Sequence, residues 1–187
     1  KQTERRELEL HREVPNSHIY MTWHCGSRTD TDFYATDLLS DILSRGKSAR
    51  LYQQLVKEKN MFTDIHAYLM GDLDKSLFLI EGKLVKGVTM EEAEAAIWDE
   101  LNKIKNGFDE KELEKVKHKA EASQEFSEMG IGNKALNLAY YELLGDADLC
   151  NRQSDHYNAV SAAEIIAVAQ QILTHENCSV LKYHAKA

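Results

Sequence analysis

Three places in this sequence bring together residue types that could do chemistry. Ser44-Arg45-Gly46-Lys47-Ser48 ends as a phosphate-binding loop does. Such a loop needs an earlier glycine so that backbone amides can wrap the phosphates, and it runs from a strand into a helix. Here the earlier position is Asp41, a negative charge, and the residues before it carry a helical period. No nucleotide site is expected, and Gly46 reads as a stop between two packed helices. His24-Cys25 is the second place. Adjacent residues on a strand point to opposite faces, so these two do not readily share a metal. A core cysteine beside an outward histidine is the expected arrangement. The third is the set of eight histidines, scattered from His11 to His184. Neither H-E-x-x-H nor H-x-x-E-H occurs, so no helical turn sets two imidazoles and a carboxylate around a zinc ion. That leaves only an assembly of distant histidines in space. No G-x-S-x-G elbow is present either, so the chain shows no self-contained catalytic constellation.

The elements that would position these residues can be read from their periods. Residues 5–14 alternate loosely and suit a charged edge strand. After Pro15-Asn16, the aromatic and β-branched run His18–Cys25 suits a pleated strand. Asp30 or Thr31 can cap a helix whose apolar face is Ala35, Leu38, Leu39, Ile42 and Leu43. Gly46 ends it, and a second helix is expected with Tyr52, Leu55 and Val56 on one side. Residues 61–70 and 76–85 read as a hairpin around Gly71-Asp72-Leu73-Asp74. Thr89 with Glu92, Asp109 with Glu112 and Ser161 with Glu164 look like capping boxes. Their acidic first turns, such as Glu91-Glu92, are explained by the helix dipole without a ligand. Asn133 is expected to start a further helix that Gly145 ends, and Cys178–Tyr183 to form a short last strand. Strands at both ends and in the middle, with helices in blocks between, argue for an α+β fold in two layers.

Composition excludes several classes. The 187 residues suit about one domain on a prior of roughly 100–200 residues each. One proline and no Gly/Ser-rich linker give no internal boundary, so residues 1–187 are expected to be a single domain, as a piece of a longer chain. Acids outnumber bases 31 to 23, and the net charge of −8 disfavours nucleic acid. No apolar run approaches the ~18 residues of a membrane span. The three cysteines lie far apart without a C-x-x-C, which indicates neither a disulfide framework nor a cysteine zinc knuckle. They fit a cytoplasmic or a periplasmic location equally.

The order of these segments resembles the C-terminal domain of the pitrilysin/insulysin zinc metallopeptidases, a family that includes mitochondrial processing peptidase and the core proteins of the cytochrome bc1 complex. The resemblance rests on Ile42-Leu43-Ser44-Arg45-Gly46 running into Lys47-Ser48-Ala49-Arg50-Leu51 and the charged stretch to Lys59. Gly107-Phe108-Asp109-Glu110-Lys111-Glu112-Leu113 and Gly145-Asp146 followed by Val160–Ile165 also match, in order, over residues 16–184. It implies a two-layer unit, a mostly antiparallel sheet packed with helices, that pairs with a sister N-terminal peptidase domain or a partner subunit. In such enzymes the first domain carries H-x-x-E-H, so this chain resembles the second, metal-free domain. Zinc is expected in the parent or partner, and no cofactor in this chain.

Family members can also lend an Arg and a Tyr to the partner's active site. The equivalent positions fall near Lys57 and Asp64, and neither matches. Tyr68 lies four residues beyond Asp64. No catalytic, cofactor-binding or metal-ligating residue is therefore carried over. Lys57 reads as a solvated helix lysine and Asp64 as a polar residue on the exposed side of a strand. The function implied is a non-catalytic domain that forms part of an enclosed peptide-binding chamber. The alternative is a purely structural or assembly subunit, like the core proteins, in a parent that has lost zinc.

Overall fold

A computed structural model describes residues 2–186. Five strands form one sheet: β1 (Arg6–Arg12), β2 (His18–Cys25), β3 (Phe62–Leu69), β4 (Ser76–Leu84) and β5 (Cys178–Ala185). Their order is β1-β5-β2-β4-β3. Only β1 and β5 run parallel, and the other neighbours are antiparallel. The helices are α1 (Phe33–Ser44), α2 (Met90–Asn106), α3 (Glu110–Glu128), α4 (Ile131–Leu143), α5 (Gln153–Ala159) and α6 (Ala162–Ile172). Helices α1, α2 and α6 lie against one face of the sheet; α3 packs on α1, and α4 packs on α3. The class is α+β in two layers, as the periods imply.

Apolar burial between the layers organises the fold. Trp23 is fully buried on β2, edge-on to Phe78 of β4 at 6.2 Å and to Trp98 of α2 at 5.7 Å. Its indole N–H donates to the Thr174 carbonyl at 3.1 Å, so the ring is buried without an unmet donor. Leu38, Leu39, Ile42 and Leu43 of α1 fill the space over β2 and β3 with the spacing read from the sequence. All three capping boxes are present, at Thr89, Asp109 and Ser161.

Several boundaries differ from expectation. Asp32, not Asp30 or Thr31, occupies the α1 cap position, and its side chain makes no capping bond. The Asp30 carboxylate instead accepts from the Ser27 amide at 3.0 Å and from Lys75 at 2.5 Å, which closes the loop before the helix. The helix after Gly46 widens into a π-helical turn over Tyr52–Glu58, where the Lys59 N–H reaches Gln54 O. Asn60, at φ 49°, then reverses the chain into β3. Helix α4 starts at Ile131 behind Gly130, ahead of Asn133, because Gly130 already turns the chain out of α3. Residues 146–160 carry a 3-10 turn (Ala147–Cys150) and α5, elements too short to give a period. Strand β5 extends to Ala185 because β1 pairs with it along its length.

Edge strand β1 is mostly exposed, and ions help to fasten it. Lys182 of β5 is buried on the helix side, 2.7 Å from Glu7 and 3.5 Å from Glu94, and Arg5 joins the same two carboxylates. Leaving any one of these charges unpaired there would be costly. The hydrogen bond from Lys182 holds the Glu7 carboxyl below its ordinary 4.5, against the opposing effect of burial, and Arg5 adds to the shift. A depressed carboxylate stabilises above its unfolded pKa and stops doing so as pH falls through the lower native value. Thermal melts should therefore lose stability as pH drops below about 4.5. Glu7→Gln should flatten that part of the profile; an unchanged slope would show that Glu7 does not fasten β1.

A second constraint sits on β4. A Cβ on Gly82 would meet the Phe62 ring at 2.6 Å, and that ring is itself buried. The bare backbone of Gly82 lets the ring of Phe62, near the β3 bulge, lie flat over the neighbouring strand. Gly82→Ala should cost about 1–3 kcal/mol through overpacking. Urea unfolding should show this as a lower midpoint at unchanged slope, and Phe62→Leu should recover part of the loss in the double variant.

Candidate functional site

Among the described residues, the other face of the sheet carries no helix. Strand alternation puts Leu8, Leu181 and Tyr20 side by side across β1, β5 and β2, with Thr22, Leu79 and Tyr68 in the next row toward β3. All of these but Tyr68 line a shallow depression of about 420 Å³. Beside it lies a polar row. The bulge at Thr63 brings Asp64, His66 and Tyr68 to this same face of β3. Asp64 stands 2.8 Å from His66, Lys83 is opposite Asp64, and Glu81 is opposite His66. The His18 and Tyr20 rings stack at 6.1 Å. Burial, then the Glu81 carboxylate, raises the Tyr68 phenol above its ordinary 10.0, so it keeps its proton and can donate. Strand β3 ends the sheet, leaving its outer backbone groups free of strand partners among the described residues. Such a surface can hold an extended chain, with apolar contacts below and main-chain bonds at the edge.

The residues singled out from the sequence sit as follows. Ser44–Ser48 does follow a helix, and Gly46 has φ 88°. Lys119 of α3 donates to the Arg45 carbonyl at 2.9 Å and Lys115 to the Ser48 carbonyl at 3.2 Å. The turn thus offers carbonyls to cations, as a helix C-terminus does, where a phosphate would need amides. His24 is exposed on the bare face while Cys25 is buried on the other. Lys57 is exposed near the end of the π-helical turn, and Asp64 is exposed on β3, as their types imply. Among the described residues, no three His, Cys, Asp or Glu side chains gather closely enough to hold a metal ion. No described helix is long and apolar enough to cross a membrane.

A family model described as the peptidase M16 inactive domain matches residues 1–120. The chain belongs to that family. No curated protein matches the sequence significantly. Solved structures extend the likeness over nearly the whole chain. A protease from Helicobacter pylori superposes with a TM-score of 0.92 at 21% identity, over 98% of this chain and 45% of that one. The inactive peptidase domain of a proposed zinc protease from Bordetella parapertussis gives 0.83 at 21%, over 95% and 97%. A chain of complex III2 from Candida albicans gives 0.80 at 13%, over 93% and 44%. This chain thus spans less than half the length of the Helicobacter protease.

For an M16 inactive domain, the bare face is the feature that sequence reasoning missed. A signal was present: β2, β4 and β5 carry Tyr20, Leu79 and Leu181 at positions that alternate with the core residues. A large apolar residue on the alternation opposite the core in each of three neighbouring strands marks an apolar strip on the second face.

Two of the three cysteines, Cys25 and Cys178, should be chemically quiet. Burial pushes the Cys25 thiol up to about 11 and the Cys178 thiol to about 12. At pH 8 the thiolate is then roughly a thousandth of Cys25 or less. Iodoacetamide followed by peptide mass mapping should leave both unlabelled in the native protein and label both in urea. Fast native labelling of Cys25 would reopen the His24-Cys25 pair as a site.

Proposed function

We propose that this chain is the non-catalytic domain of a zinc-dependent peptidase and that its bare sheet face forms part of the wall of an enclosed peptide chamber. The observation that carries this reading is the one-sided sheet: an apolar strip flanked by polar rows and ending in a free strand edge. A surface that is water-filled when empty and binds extended chains needs that mixture, since main-chain bonding at an edge accepts substrates of varied sequence. On this reading residues 1–187 are one domain of a longer polypeptide or of a two-subunit enzyme. The sister domain supplies the H-x-x-E-H helix, and with it the metal-activated water and the general base. This chain contributes no catalytic, cofactor-binding or metal residue. On this reading zinc belongs to the sister domain or partner subunit that carries H-x-x-E-H.

The fold likeness to a complex III2 chain supports a second reading, an assembly subunit whose parent has lost zinc. The two readings part on whether the sister domain contains H-x-x-E-H.

Reconstituted cleavage of a quenched fluorescent peptide tests the proposal. Lys57→Ala and Asp64→Ala should each leave kcat within about tenfold of the parent, because losing an oxyanion donor costs roughly a hundredfold or more. Leu79→Lys and Leu181→Lys, on the bare face, should raise KM by about tenfold with a smaller change in kcat. A hundredfold loss of kcat from either alanine variant would make this a catalytic domain. Unchanged KM in both lysine variants would remove the sheet face from the chamber.

A further inference from the structure

A second cavity lies among the helices, and no strand contributes to it. It holds about 250 Å³ and is walled by α3, α4 and α5, with Arg45 just past α1 and Cys150 of the 3-10 turn. That is well above the ~30 Å³ share of one water and just short of the ~300 Å³ at which pockets for drug-sized molecules begin. Arg45 is the one charged residue in this wall, and no Asp or Glu lines it in a chain that has 31 of them. The two glutamines of the wall differ. Gln124 is satisfied at both ends: its amide donates to the Cys150 carbonyl at 2.9 Å, and its carbonyl accepts from Ser154 at 3.0 Å. Gln153 is 8% exposed, and its Nε2 is buried with no partner among the described residues. An unmet buried donor is costly, and in a native fold it calls for an acceptor. Two hydroxyls of the same wall also have protons to give. Ser123 accepts from Arg45, and Tyr141 accepts from Arg28 at 3.0 Å, so each keeps its own O–H. Burial holds the Tyr141 phenol above its ordinary 10.0 against the pull of Arg28, and the proton stays on it at neutral pH.

We infer that this cavity binds a small organic carboxylate, held by donors from Gln153, Tyr141 and Ser123. The charge that favours an anion comes from Arg28, which stands behind Tyr141. Its guanidinium stacks over Phe33 at 3.9 Å and bonds to a phenol rather than a carboxylate, and its Nη1 is buried without a partner. A largely desolvated cation gains from a counter-charge. Its N–H also polarises the Tyr141 hydroxyl, which strengthens the bond that this hydroxyl donates in turn. Arg45 differs, since Asp41 balances it at 2.5 Å. The rest of the wall decides between anions. Tyr157 spends its hydroxyl on Asp37 at 2.5 Å and so presents its ring, beside the Ala120 methyl and the Cys150 thiol. A short carbon chain covers these groups, whereas phosphate would leave them facing polar oxygens. A metal cation would find no carboxylate in the wall, and a neutral amide would leave the charge of Arg28 unanswered. The site shares no residue with the bare sheet face and does not depend on the peptide chamber.

The test uses the complete polypeptide, or the two-subunit complex, that contains residues 1–187, labelled with carbon-13 at the alanine methyls. The probe is butyrate, with butyramide as its uncharged analogue and inorganic phosphate as an anion without a carbon chain, all at constant ionic strength. Butyrate should move the Ala120 methyl resonance saturably and leave that of Ala169, buried in the core on α6, in place. Because Ala120 lines the cavity, a metal elsewhere in the parent that takes up the carboxylate does not register. Butyramide should bind at least about tenfold more weakly, since hydrogen bonds to a charged acceptor are the stronger ones. Tyr141→Phe should weaken butyrate by about tenfold, the worth of one such bond. Gln153→Glu keeps the shape of the side chain but sets a second carboxylate beside the ligand's, and should abolish the response with the thermal melt retained. If that variant does not fold, the comparison of butyrate with butyramide on the parent protein still decides. An Ala120 methyl that stays in place up to about 10 mM butyrate, enough to reveal a millimolar Kd, would leave the cavity to water and overturn the inference. An equal response to butyramide or to phosphate would overturn the carboxylate, and unchanged butyrate binding in both folded variants would overturn the site.

Discussion

A sheet has two faces, and among the described residues the helices cover only one. That imbalance governs the structure. Trp23, Phe78 and Trp98 lock α2 to the centre of the covered face, and α1 and α6 complete the layer. On the opposite face the residues that alternate with this core, Tyr20, Leu79 and Leu181, have no layer of their own. Dense packing on one side makes the strands rigid enough to present the other side as a fixed surface. The stability of the domain and the availability of its bare face thus follow from the same alternation along β2, β4 and β5.

Close packing also explains the two places where the sheet departs from regular chemistry. Phe62 reaches over β4 only because Gly82 offers no side chain, and the bulge at Thr63 then realigns β3 so that Asp64, His66 and Tyr68 share the uncovered side. At the far edge, β1 cannot be held by apolar burial because most of its residues are exposed. Lys182, Glu7, Glu94 and Arg5 take that role, an arrangement in which each charge is tolerable only while the others remain. One edge is therefore fastened by a sterically demanding ring and the other by ions.

Much of this was legible in the amino-acid order, and the reasons are physical. β2 carried a strong enough pattern for its limits to be read directly as His18–Cys25, and the three capping boxes announced α2, α3 and α6 by side chains that bond only at a helix start. Family membership was legible from motifs in order, with the family model covering residues 1–120. The less legible parts are those decided by distant partners. Whether Asp30 caps α1 depends on Lys75, 45 residues away, which binds its carboxylate first. The π-helical turn at Tyr52–Glu58 has apolar residues spaced much as an α-helix would. The parallel pairing of β1 with β5 joins the two ends of the chain, beyond the reach of any local period.

The Ser44–Ser48 turn shows why a local string is a poor guide to chemistry. The letters Gly-Lys-Ser are shared with a phosphate loop, but direction of entry decides what the backbone offers. A chain leaving a strand and entering a helix presents amides; one leaving a helix presents carbonyls. Here Lys115 and Lys119 occupy those carbonyls from α3, so the turn serves to tie two helices together. The same reasoning, applied to whole surfaces, separates the two uncovered parts of the molecule. The sheet face offers phenol, imidazole and carboxylate groups between apolar side chains. The outer side of α4 exposes Ile131, Leu136 and Leu143 beside a few polar groups, Asn133, Lys134 and Glu142 among them.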